Sequence, residues 1–185
     1  MTQRNSPSTV YEAINEDVAS LKSLGARSAP LRKRVRWCEV FLTNLKELYA
    51  AALTVTSSNA LAEDALLVAL CRLKAEDQEI DSTAFLSAKK EVLRCSIAIA
   101  RQNGNIEAQT SIGIVLQDLS VELRLAFTLR LLLRLSKKDA RELLGISETL
   151  IEQLTLKACL TLSHLAIYEA EGHVLAFFGH AASRY

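Results

Sequence analysis

Between Leu135 and Leu154 the chain reads LSKKDARELLGISETLIEQL, and its polar side chains are of the types that hold a phosphodiester backbone. Lys137, Lys138 and Arg141 are cations that can neutralise phosphates and fix the register of a helix on a duplex. Thr149 offers a hydroxyl to a phosphate oxygen, and Gln153 carries an amide that can pair bidentately with adenine. Glu148 and Glu152 stand on the same stretch, and the next cation is Lys157. Carboxylates facing phosphate lower affinity, because most sequence-independent binding comes from neutralising that charge. Two readings stay open: a nucleic-acid reader, or a reader's framework turned to another partner.

The segment that must position these groups is well specified. Ser136 can cap a first helix, with Asp139 three residues on in the place of a capping-box acid. Gly145 permits the positive φ of a sharp exit, and Ser147 can cap a second helix immediately afterwards. Leu143, Leu144, Ile146 and Ile151 can form the small core that fixes the angle between the two. The spacing predicts a helix, a three-residue corner and a second helix.

Other chemistry is sparse. His164, His173 and His180 have no carboxylate or cysteine at a metal-binding spacing, and there is no nucleophile motif or glycine-rich phosphate loop, so no enzyme activity, metal or cofactor is expected. Cys38, Cys71, Cys95 and Cys159 form no close pair and are expected to be reduced core residues of a cytoplasmic protein. Lys and Arg total 22 against 21 Asp and Glu, so no overall field draws the protein to nucleic acid or to anionic membrane. The N-terminus has no signal pattern, and no apolar run approaches the roughly 20 residues of a membrane span.

Across its 185 residues the chain is half apolar with 6 Gly and 2 Pro, which suits a helical protein. Val10, Ile14, Val18 and Leu21 predict a short amphipathic helix stopping at Gly25. Arg32, Lys33, Arg34 and Arg36 follow as the one dense basic cluster, read first as a solvated helix start and second as a phosphate contact. Trp37, Val40, Phe41, Leu45, Leu48, Ala52 and Val55 predict a long helix ending at TSSN. Ala62, Ala65, Leu66, Ala69, Leu70 and Leu73 line a second, ended by AEDQEID. A third runs from a cap at about Ser82 through Phe85, Leu86, Leu93 and Ile97. Leu116, Leu119, Leu123, Phe127 and Leu131 mark a further helix. Nothing alternates with period two, so the expected fold is all-α. It divides into a 1–30 extension with a short helix, a 31–100 helical domain, a 101–115 linker, a 116–165 domain holding the helix corner, and a 166–185 helical tail anchored by Phe177 and Phe178.

The stretch LSVELRLAFTLRLLLRLSKKDARELLGISETLIEQLTLKACLTL, Leu119 to Leu162, resembles the C-terminal promoter-reading domain of bacterial RNA polymerase sigma factors, in the small two-domain extracytoplasmic-function group. LYAAALTVTSSNALAEDALLVALCRL, Leu48 to Leu73, is similar to the N-terminal core-binding domain of that group, including its turn and the AED that opens the next helix. The resemblance covers most of Trp37 to Leu165. It implies a region 2-like domain at 31–100, a region 4-like helix-turn-helix domain at 116–165, RNA polymerase core and promoter DNA as partners, a possible anti-sigma partner, and no cofactor. Polymerase contact is implied for Asp64, Leu67, Val68 and Arg72, and DNA contact for Lys137, Lys138, Arg141, Thr149, Gln153 and Lys157.

Several positions depart from that pattern. Leu67 and Val68 stand where the group carries Gln and Glu, which replaces a hydrogen-bonding face by an apolar one; burial against a neighbouring helix is the first expectation, an altered partner contact the second. Phe85 lies near the group's tryptophan, followed by Lys89, Lys90 and Arg94, with CSIAIARQ in place of a basic end. Stacking on unpaired bases needs exposed aromatic faces, and Phe85 is the one available there. The leading expectation is a divergent sigma factor directing polymerase to promoters. The alternative is a sigma-like regulator that binds an anti-sigma factor or polymerase without melting promoter DNA.

Overall fold

The computed structural model describes residues 7–23, 29–75, 82–104 and 109–164, and every element among them is helical. The first five helices are α1 (Pro7–Ser23), α2 (Ala29–Thr43), α3 (Leu45–Thr56), α4 (Asn59–Ala75) and α5 (Ala84–Asn103). After them come the short α6 (Ser111–Leu116), α7 (Val121–Phe127) running into a π-turn at Thr128–Leu132, α8 (Lys137–Leu144), and α9 over 148–164.

Apolar periodicity places the inner faces. Val10, Ile14, Val18 and Leu21 of α1 are buried, as are Ala62, Ala65, Leu66, Ala69, Leu70 and Leu73 of α4. They meet Trp37, Cys38 and Phe41 of α2, with α3 and α5, in a first apolar cluster. A second cluster joins the two parts of the chain: Ala51, Val55, Leu93, Ile97 and Ala100 of α3 and α5 pack with Leu125, Leu129, Ala140, Leu144 and Ile151 of the later helices. A third unites Leu116, Leu119 and Leu123 with Ala158 of α9.

Where local rules compete, helices break differently from their periodicity. The helix expected from Trp37 to Val55 divides at Asn44, whose side-chain amide and backbone N–H both donate to the Val40 carbonyl, at 2.8 and 3.2 Å. A side chain that bonds locally offers the backbone an alternative to the helical ladder. The helix expected from Leu116 to Leu131 is interrupted after α6, and Ser120, at φ −57° and ψ 153°, restarts the chain as α7. At the π-turn the Leu133 N–H reaches back to the Thr128 carbonyl at 2.9 Å, one residue further than in an α-helix. That extra residue rotates the inward face, so Leu129 is fully buried while Leu131, expected inside, is 45% exposed. α5 begins after Thr83, not Ser82, and Thr83 makes no side-chain capping bond. Leu86, expected on the inner face of α5, is exposed.

The stretch 101–115 holds the last turn of α5 and most of α6. α6 docks on the α3–α4 turn: the Gln109 N–H donates to the Ser57 carbonyl at 2.9 Å, and the Asn59 N–H donates to Gln109 Oε1 at 3.0 Å. The Gly25 stop, the acidic run after Ala75 and the 166–185 tail with Phe177 and Phe178 lie outside the described residues.

Candidate functional site

The corner between α8 and α9 follows from its caps. Ser136 Oγ accepts the Asp139 N–H at 3.1 Å, Gly145 takes φ +70°, and Ser147 Oγ accepts the Leu150 N–H at 3.2 Å. Ile151 and Leu144 are buried, with Leu143 and Ile146 packed beside them. Each end of the corner thus satisfies backbone donors that would otherwise lack partners.

Lys137, Lys138, Arg141, Thr149, Gln153 and Lys157 are all exposed on α8 and α9. They are not equally free. Lys137 pairs with Glu152, whose carboxyl the ammonium holds below the usual carboxylate range. Lys138, Arg141 and Lys157 form no ion pair among the described residues. Arg141 projects outward, and Ala140 is the fully buried residue where α8 meets its neighbours. The surface therefore carries three unpaired cations beside the carboxylate of Glu148.

The cations of α5 are engaged within the chain. Glu142 on α8 accepts from Lys90 at 2.5 Å and from Arg94 at 3.2 Å, and its carboxyl is lowered chiefly by the hydrogen bond from Lys90. Lys89 pairs with Glu47 at 2.7 Å. Glu91, buried on the inner side of α5, accepts from Arg72 at 3.2 Å and Arg94 at 3.3 Å. Phe85 is half-buried against the first cluster with Lys89 Nζ at 5.8 Å from its ring centroid, so it does not present a free aromatic face. Between α5 and α8 lies an open groove of about 450 Å³, floored by Leu93, Leu135 and Leu143 and edged by Lys90 and Asp139.

α4 carries the other expected site. Asp64 and Arg72 are exposed, and Leu67 and Val68 are 37% and 41% exposed, so their expected burial is overturned: the face of α4 that packs inward is already filled by Ala65, Leu66 and Ala69. Cys71 shares this outward face. Cys38 and Cys95 are core residues as expected and Cys159 is half-buried, but Cys71 is exposed. Burial pushes the Cys95 thiol up to about 11. Sequence reasoning missed Glu142 entirely, because nothing local distinguishes a carboxylate that meets two cations about fifty residues away from one that meets water.

Arg34 and Arg36 are exposed on α2; the side chains of Arg32 and Lys33 lie outside the described residues. His164 is exposed at the end of α9, and His173 and His180 are outside the described residues. Among the described residues no three His, Cys, Asp or Glu side chains gather as metal ligands, and no helix is long and apolar enough to cross a membrane. Compared with known proteins, the chain matches no family model, no curated protein and no solved structure.

Proposed function

We propose that this chain is a sigma-like regulator that acts by protein–protein binding, through the outward face of α4, and does not melt promoter DNA. The observation that carries this is the engagement of the α5 cations: Lys90 and Arg94 both ion-pair with Glu142 of α8, Arg94 also with Glu91, and Phe85 is half-buried. A helix that captures unstacked bases needs free cations and free aromatic faces. Support comes also from the shared cluster beneath α5, α7 and α8, because two parts that bury a common apolar core do not separate freely to reach two promoter elements. The partner is an anti-sigma-type regulator or polymerase, met at Asp64, Leu67, Val68 and Arg72, and the reading implies a cytoplasmic protein.

A second reading, a divergent sigma factor directing polymerase core to promoters, is favoured by Lys138, Arg141 and Lys157 standing exposed with Thr149 and Gln153 on α8 and α9. Co-purification from the native cells separates the two. Tagged wild-type protein is expected to bring down a stoichiometric small regulator that a Leu67→Lys/Val68→Glu variant loses. Recovery of the polymerase β and β′ subunits, together with transcripts starting at discrete promoters that depend on Lys138 and Arg141, would instead establish the second reading.

A further inference from the structure

Cys38 is fully buried on α2, yet its neighbours are not all apolar. Its thiol shares a hydrogen bond with the amine group of Lys74, which reaches it from the last turn of α4. Asp17 of α1 forms an ion pair with the same group. A thiol, an amine and a carboxylate from three helices thus stand in contact in the order Cys38, Lys74, Asp17. The Lys74 side chain is 13% exposed and that of Asp17 44%, so the row runs from the core to the surface.

Burial pushes the Cys38 thiol above its usual range, and Lys74 offsets part of that rise. Burial also disfavours the Lys74 charge, but Asp17 and Cys38 together outweigh it and hold the ammonium above its ordinary range. The resting pair is therefore a neutral thiol beside a protonated amine, with a carboxylate placed to take the amine's proton. Cys95, the other buried thiol, is surrounded differently. It meets the Glu91 carboxylate at 3.7 Å, and the cations beside it are the guanidinium groups of Arg72 and Arg94, which keep their protons. A lysine amine can lose its proton, and a nitrogen that is to form a bond must.

We infer that dioxygen joins the Cys38 sulfur to the Lys74 nitrogen through a single oxygen atom, an N–O–S bridge that ties α2 to α4. Asp17 takes the ammonium's extra proton. The thiol S–H bond, one N–H bond of the amine and the O–O bond break, and an S–O and an N–O bond form. The second oxygen leaves as water with the two hydrogens. Sulfur and nitrogen each give up two electrons, and dioxygen takes four. Dioxygen is small and apolar, so burial of the sulfur does not shut it out. The bridged nitrogen is too weakly basic to hold a proton at neutral pH, so Asp17 loses its cation and α1 loses its ion pair to α4. The bridge is independent of the function proposed above.

Mass spectrometry tests the bridge on the purified full chain in a Cys71→Ser/Cys159→Ser background, which removes the two thiols that are not buried. The anaerobic, reduced protein gives the reference mass. In air-saturated buffer the mass is expected to rise by about 14 Da, one oxygen gained and two hydrogens lost, and to return on treatment with dithiothreitol. Tryptic digestion is expected to yield two peptides joined at Cys38 and Lys74, with cleavage after Lys74 blocked. Lys74→Arg keeps a cation for Asp17 but removes the amine, and Cys38→Ala keeps a small residue in the core. Each is expected to abolish the shift, and a shift that persists in Lys74→Arg overturns the bridge. An unchanged mass in air overturns it as well, as does a gain of whole oxygens on Cys38 alone or a loss of about 2 Da from a direct S–S or S–N bond. Amide protection in α1 is expected to fall as the bridge forms and to recover on reduction. Protection of α1 that is unaltered by a bridge already formed overturns the loss of the Asp17 pair as its consequence.

Discussion

At the scale of single residues, two positions are held by what surrounds them. Gly113 lies in α6 where that helix presses on the α3–α4 turn, and a Cβ there would stand 2.6 Å from Ser57 Cβ and 2.8 Å from Thr110 Oγ1. Neither neighbour can move away cheaply, because Ser57 caps α3 at φ +57° and Thr110 Oγ1 caps α6 by accepting the Gly113 N–H at 2.9 Å. Gly113→Ala is expected to cost roughly 1–3 kcal/mol, measurable by chemical denaturation, through undocking of α6. Glu63 is a different kind of constraint. It is 7% exposed, one carboxylate oxygen has no partner, and burial, with the Asp64 charge secondary, raises its pKa. A carboxyl whose folded-state pKa lies above its unfolded value costs stability above the folded pKa, and the cost disappears below the unfolded one. Glu63→Gln is therefore expected to raise Tm at neutral pH, with the advantage fading as pH falls from the raised folded-state pKa towards the ordinary glutamate value and absent below it. Melts of both proteins across that range check the sign.

At the scale of elements, α8 is short, and what orders it is its caps and its dock. Ser136 closes its first turn and Gly145 ends it, while Ala140 and Leu144 bury into the second cluster. Arg101 of α5 donates to the Leu144 carbonyl at 3.2 Å and to both oxygens of Glu122 at 3.0 and 3.2 Å, tying the end of α8 to the start of α7. Glu142 and Glu152 both have lowered pKa values, from Lys90 and Lys137 respectively. The sign follows from that direction: their stabilising contribution is present above the unfolded carboxylate pKa and is lost as pH falls through the lower folded one. Protection of the α8 amides, taken as the exchange rate of an unstructured chain at the same pH divided by the observed rate, is expected to fall on acidification below the usual carboxylate range, and Glu142→Gln is expected to show lower protection already at neutral pH and a smaller response to acid. An α8 equally protected in both proteins at every pH would count against the ion pairs as its latch.

At the scale of the whole molecule, the second apolar cluster makes the earlier and later helices depend on each other. Leu129 is fully buried there, among residues of α3, α5, α8 and α9. Leu129→Ala is expected to cost about 2–5 kcal/mol and to lower the stability of both parts together. Trp37 fluorescence reports on the first cluster and amide exchange in α9 on the third, and the two are expected to give one coincident transition. Separate transitions, with only the later helices affected, would mean that the shared cluster does not couple them. Arg124 adds to this junction: 7% exposed, it donates to the Gly104 carbonyl at 2.9 Å, and desolvation lowers its pKa.

What could be read from the chain alone is what depends on neighbours a few residues away. The all-helical class, the inner faces of α1 and α4 and the caps of the α8–α9 corner follow from apolar spacing and from serine and glycine at helix ends, since those contacts close within one or two turns. Expectations failed where a distant group or an irregular turn intervened. Leu131 turned outward because a π-turn added one residue, and Leu67, Val68 and Cys71 stayed exposed because α4 had a richer apolar face to bury. The state of the α5 cations, on which the proposed function rests, was illegible: Lys90 and Arg94 meet Glu142 only because the second cluster draws α8 onto α5. Periodicity specifies which face a helix would bury, whereas which charges are neutralised depends on the helix that arrives against it, and that is set by packing across the whole fold.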